Sequence, residues 1–83
     1  MRIEISKNAG RALRKSNKRT LLGQKIEELA SGPLSLAPNV IRLQGRAGFR
    51  LRVQNWRIIF RVEAATLYID EIEPRGSAYE DRK

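Results

Sequence analysis

Apolar and polar residues alternate most regularly in FRLRVQNWRIIFRV, residues 49–62. Phe49, Leu51 and Val53 take one side of a strand and Arg50 and Arg52 the other. After Gln54 and Asn55 the alternation resumes, with Trp56, Ile58, Phe60 and Val62 against Arg57 and Arg61. A period of two puts successive side chains on opposite faces of a sheet, so the stretch predicts a hairpin with one apolar and one cationic face. With Gln54 and Asn55 as a two-residue loop, Val53 faces Trp56, Leu51 faces Ile58 and Phe49 faces Phe60. Arg52 then faces Arg57, and Arg50 faces Ile59. A slip of one residue would carry arginines into the core, so the pattern itself defends the register.

The remaining elements follow from the same reading. MRIEIS predicts a short strand, with Ile3 and Ile5 alternating against Arg2 and Glu4. Ser6 is a cap for a helix from about Lys7, whose Ala9, Ala12, Leu13 and Ser16 turn inward. Asn17 is a cap for a second helix, in which Leu22, Ile26 and Leu29 recur at helical spacing until Gly32 and Pro33 stop it. GPLSLAPNV reads as a loop and Val40–Leu43 as a short strand, with QGRAG turning the chain into the hairpin. EAAT is a tight turn into a last strand over about Thr66–Ile72, and Pro74 and Gly76 end the order. One domain spanning residues 1–83 results, of α+β class, in the order β-α-α-β-β-β-β with a mostly antiparallel sheet.

Charge changes this picture. The chain of 83 residues has 17 Lys and Arg against 9 Asp and Glu, a net charge of +8. No acid lies between Glu28 and Glu63, while Arg42, Arg46, Arg50, Arg52, Arg57 and Arg61 all do. The acids return near the end as Asp70, Glu71, Glu73, Glu80 and Asp81. Arginine dominates over lysine, and its planar fork suits phosphate and stacks on bases. Two arginines opposed across a hairpin at about 5 Å repel by on the order of 1 kcal/mol in water and roughly 3 kcal/mol at an effective dielectric of 20. An anion held between them would relieve that cost.

The residue types exclude several chemistries. There is no cysteine and no histidine, so Ser-His-Asp and Cys-His arrangements are ruled out. The carboxylates have no metal-ligand spacing, and neither a metal nor a cofactor is expected. LQGRAG lacks the G-K-[ST] of a phosphate loop. No apolar run approaches the ~18 residues of a helical membrane span, and no signal-peptide pattern is present, which predicts a cytoplasmic protein with no membrane partner. What remains is an arginine cluster that can neutralise charge on a phosphate. An RNA substrate brings its own nucleophile, the 2′-hydroxyl.

LQGRAGFRLRVQNWRIIFRV, followed by a strand and PRGSAY, resembles the signature of the RelE/ParE toxin superfamily, and its RelE-like branch in particular. The resemblance runs over essentially the whole chain. It implies a toxin of a type II toxin–antitoxin pair that inhibits translation as a ribosome-dependent mRNA endonuclease. The implied cleavage is metal-independent and leaves a 2′,3′-cyclic phosphate and a 5′-hydroxyl. By the same resemblance, Arg57 and Arg75 meet the scissile phosphate, Arg50 and Arg52 hold the flanking backbone and stabilise the transition state, and Tyr79 stacks on a base or orients the reacting nucleotide. Arg46 and Arg61 add RNA contacts. RelE carries lysines where this chain has Arg50 and Arg52, and the general base is left open among Tyr79, Glu80 and Asp81.

The implied partners are an acidic antitoxin protein, mRNA on the ribosome, and operator DNA only through the antitoxin complex. Two other functions fit the same residues. One is a ParE-like inhibitor of DNA gyrase with no nuclease activity. The other is a non-catalytic RNA- or DNA-binding module, whose binding would depend steeply on salt.

Overall fold

The computed structural model describes residues 1–32 and 38–74. The strands are β1 (Arg2–Ile5), β2 (Val40–Arg42), β3 (Phe49–Val53), β4 (Trp56–Glu63) and β5 (Thr66–Pro74), and the helices are α1 (Lys7–Lys15) and α2 (Arg19–Ser31). They form one five-stranded sheet in the order β1-β5-β4-β3-β2, with β1 parallel to β5 and every other neighbour antiparallel. The α+β class and element order expected from the sequence are those observed.

Both helices pack on the apolar side of the sheet. Ala9 of α1 and Leu22, Ile26, Leu29 and Ala30 of α2 join Leu51, Val53, Ile58, Phe60, Leu67, Ile69 and Ile72 in one buried cluster. Trp56 is only partly buried and packs at the margin of that cluster. Ser6 caps α1 as expected, its Oγ accepting from the Ala9 N–H at 3.0 Å. The same hydroxyl donates to the Asp70 carbonyl at 2.9 Å, tying the start of the helix to β5.

Asn17 is not the cap of α2. The Lys18 N–H donates to Ser16 Oγ at 2.9 Å, the chain turns there, and Lys18 becomes a cap residue with no side-chain bond. A buried serine outcompetes the exposed asparagine beside it because its local bond is already enclosed. The helix ends at Gly32, whose φ of −168° is ordinary extended backbone. Pro33 and Gly76, read as breaks, lie outside the described residues.

The hairpin has the register that alternation predicts: Val53 opposes Trp56, Leu51 opposes Ile58, Phe49 opposes Phe60, Arg52 opposes Arg57 and Arg50 opposes Ile59. Its loop starts with Gln54 at φ 53°. Entry into β3 depends on Gly48, at φ 120°. A Cβ there would sit 2.9 Å from the Phe60 carbonyl oxygen, so both backbone angle and close approach require glycine. The Gly48 carbonyl meanwhile accepts from the Leu43 N–H at 3.0 Å, closing the loop from β2.

The β4–β5 loop is built from Ala64 at φ 49° and Ala65 at φ 62°, both left-handed. Each alanine there costs about 1–2 kcal/mol relative to right-handed backbone. The same turn geometry prefers Asn-Gly. Ala64→Asn combined with Ala65→Gly is therefore expected to raise stability by about 1 kcal/mol. Urea denaturation checks this: an unchanged or lower midpoint would mean that the turn is not strained.

Beyond that turn, β5 pairs with β4 from Glu63–Thr66 to Phe60–Ile69, then shifts by one so that Ile59 meets Glu71 and Arg57 meets Glu73. Asp70 is the extra residue of a bulge. Strict alternation from Leu67 would send Glu71 into the core and Ile72 out. The bulge reverses this, and Ile72 is 5% exposed.

Candidate nucleic-acid interface

The sheet face turned away from the helices carries the arginines. Arg50 and Arg52 stand on β3 and Arg57 and Arg61 on β4, with Tyr68, Glu71 and Glu73 opposite them on β5. Counter-charge from β5 reaches Arg57 and Arg61 on this face.

Arg61 is locked in place. Its Nε donates to Asp70 Oδ2 at 2.8 Å, its Nη2 to Asp70 Oδ1 at 3.3 Å and its Nη1 to Glu63 Oε2 at 2.9 Å. The guanidinium also lies over the Tyr68 ring, 4.6 Å from its centroid. Hydrogen bonds to Asp70 and then Glu63 push its pKa above the ordinary arginine value. A cation so fully engaged is a structural clamp across the bulge. Arg46, in the loop before β3, reaches Glu71 Oε2 at 3.4 Å with both side chains about half exposed, a pair of slight energetic weight.

Arg57 differs from both. Its side chain is only 13% exposed, yet its one ion pair among the described residues is Nη2 to Glu73 Oε1 at 3.5 Å. Its Nε is buried with no hydrogen-bond partner among the described residues. Leaving a buried donor unpaired costs about 1–3 kcal/mol, a cost that a water, an ion or a ligand accepting from it would remove. Arg52, directly across the ladder, is exposed, and Arg50 is half-buried. Among the described residues neither has a carboxylate partner. A polar groove at the hairpin tip continues from Arg52 past Gln54 and Asn55 to Asn39 and Lys25.

The structure thus brings together Arg50, Arg52 and Arg57 and diverts Arg46 and Arg61 to ion pairs. Arg75 and Tyr79 lie outside the described residues, as do the base candidates Glu80 and Asp81. Among the described residues no group of three or more acids could hold a metal ion, and no helix is long and apolar enough to cross a membrane. Sequence reading missed Asp70, Glu71 and Glu73 as members of this face. The signal was the adjacent polar pair Asp70-Glu71 inside an otherwise alternating strand, which marks the bulge.

No family model and no curated protein sequence matches the chain. Solved structures do. The archaeal RelE–RelB complex from Pyrococcus horikoshii OT3 contains a chain that superposes with a TM-score of 0.76 at 25% identity, over 90% of this chain and 94% of that one. The RelB–RelE antitoxin–toxin complex of Methanococcus jannaschii gives 0.73 at 23% identity, over 93% and 95%. The isolated E. coli RelE toxin gives 0.71 at 18% identity, over 98% and 93%. The chain has the RelE toxin fold. Coverage of 90% or more in both directions means that the RelE-like core of sheet and helix pair is present without large insertions. The arginine face of this RelE-like chain lies on its β3–β4 hairpin.

Proposed function

We propose that the protein is the toxin of a RelBE-type toxin–antitoxin pair and that it cuts mRNA on the ribosome. The observation that carries the reading is Arg57: a largely enclosed guanidinium with an unpartnered buried Nε, opposite the exposed Arg52. Two arginines on adjacent strands form a cradle for one phosphodiester, and planar N–H forks match phosphate oxygens. Positive charge at that position stabilises the phosphorane-like transition state as the 2′-oxygen attacks. Arg50 and the groove from Arg52 to Lys25 then hold the flanking backbone. Arg75 and Tyr79 complete the site in this reading, with Tyr79 ordering the reacting nucleotide.

Several solved structures of this fold are complexes with the antitoxin RelB. An antitoxin partner for this chain follows from that likeness, and a net charge of +8 favours an acidic one. Its carboxylates would occupy the same guanidinium groups that bind phosphate, which gives inhibition by competition.

Induced expression of the protein is expected to arrest growth, with new transcript 5′ ends mapping inside translated codons. Growth arrest with intact transcripts would overturn the ribonuclease reading. If purified protein then blocked gyrase supercoiling, the ParE-like function would replace it.

A further inference from the structure

We propose that Glu73 is the proton acceptor in the cleavage step, taking the proton of the RNA 2′-hydroxyl while Arg57 holds the scissile phosphate. The inference rests on the ribonuclease reading above and assigns a group that reading leaves open.

The chain has no histidine and no cysteine, and its arginines stay protonated at any working pH. That leaves carboxylates, tyrosines and lysines, and the described lysines, Lys7, Lys15, Lys18 and Lys25, all lie on or beside the helices. Most described acids are committed elsewhere. Asp70 gives both oxygens to Arg61, and Glu63 joins them there. Glu71 is drawn toward Arg46 in the loop before β3. Glu4 pairs with Arg2 at the far edge of the sheet, and Glu27 and Glu28 lie on α2, behind the other face.

Glu73 stands where the chemistry needs it. It opposes Arg57 across β4 and β5, and Arg57 opposes Arg52 across β4 and β3, so the three form one row over three strands. Neighbouring strands are ~4.8 Å apart. A phosphate seated on Arg57 therefore leaves its adjoining sugar within one strand of the Glu73 carboxylate. The Arg57–Glu73 contact is long, 3.5 Å, against 2.8 Å for Arg61 to Asp70. Glu73 is also the more accessible partner, 40% exposed against 13% for Arg57. It can release the guanidinium to phosphate without leaving the site.

In the step, the 2′-O–H bond breaks and its proton passes to a Glu73 oxygen as the 2′-oxygen bonds to phosphorus. The P–O5′ bond breaks, its electron pair stays on the 5′-oxygen, and a proton from solvent completes the 5′-hydroxyl. The 2′,3′-cyclic phosphate departs, and Glu73 returns its proton to water. No oxidant, metal or second substrate enters the balance.

The test uses the full chain with ribosomes translating a defined mRNA, read as a single-turnover cleavage rate. Binding is measured separately on ribosomes programmed with a 2′-O-methyl mRNA, which cannot react. Glu73→Gln should lower the rate by about 10²–10⁴-fold, the usual cost of losing a general base. Affinity for the 2′-O-methyl complex should stay the same or tighten, and Glu73→Asp should recover part of the rate. Glu71→Gln, made in parallel, should cleave as the wild type does. Since Glu73 itself is 40% exposed and its contact with Arg57 is long, and glutamine keeps the same shape, the variants should keep their circular dichroism spectrum and melting behaviour. A Glu73→Gln variant that binds tighter and cleaves as fast as or faster than wild type would reduce Glu73 to a displaceable counter-ion and overturn the proposal. Wild-type protein that cuts nothing on translating ribosomes would overturn the ribonuclease reading itself, and this assignment with it.

Discussion

Arg57→Ala should abolish growth arrest on induction, with the single-turnover cleavage rate falling by about 10²–10³-fold, the cost of removing one preorganised donor from a charged transition state. The expected size follows from where the side chain sits. Arg57 is largely enclosed, and among the described residues its Nε has no partner and its single ion pair is long. The guanidinium is thus held by packing, with bonding capacity to spare. Arg57→Lys should rescue little, because an ammonium keeps the charge but loses the fork that meets two phosphate oxygens. Arg61→Ala is the informative contrast. Arg61 is occupied by Asp70, Glu63 and Tyr68, so its loss should affect the protein through the bulge in β5 and only secondarily through RNA. If Arg57→Ala arrested growth and cut transcripts like wild type, the cradle assignment would be wrong.

The largest stability effect is expected at Phe60. It is 3% exposed and its ring stacks on Phe49, with centroids 5.6 Å apart and planes at 27°. Its carbonyl is also the atom that leaves no room for a Cβ at Gly48. Phe60→Ala should cost about 3–5 kcal/mol, part from lost burial and part from the cavity left behind. Domains of this size have a total stability of only about 5–15 kcal/mol, and small ones sit low in that range. The variant should be marginally folded at 25 °C or unfolded at 37 °C. Urea denaturation with circular dichroism measures it. Phe60→Leu, which retains most of the volume, should lose much less. A loss below about 1 kcal/mol for Phe60→Ala would mean that the core closes without this ring.

The two variants separate the two faces of one hairpin. Arg57 and Phe60 are three residues apart on β4, yet one should remove activity from a folded protein and the other should remove the fold. Growth arrest alone cannot distinguish them. Arrest combined with a denaturation midpoint can.

The sequence by itself determined the β3–β4 hairpin, down to each opposed pair, because a period of two is a local property and any slip would bury arginine. It determined the order of elements and the apolar face that the helices cover, for the same reason. It also marked Arg50, Arg52 and Arg57 as neighbours. Tertiary structure alone decided which of the cations would be free. The two-residue turn at Ala64 and Ala65, continued without a break, would place Arg57 opposite Ile72. The bulge at Asp70 moves the register by one and sets Arg57 against Glu73, Ile59 against Glu71, and the Asp70 carboxylate against Arg61. That shift keeps Ile72 in the core, and the energy for it comes from apolar burial contributed by helices distant in the chain. Which acid meets which arginine is therefore settled by packing on the opposite face of the sheet.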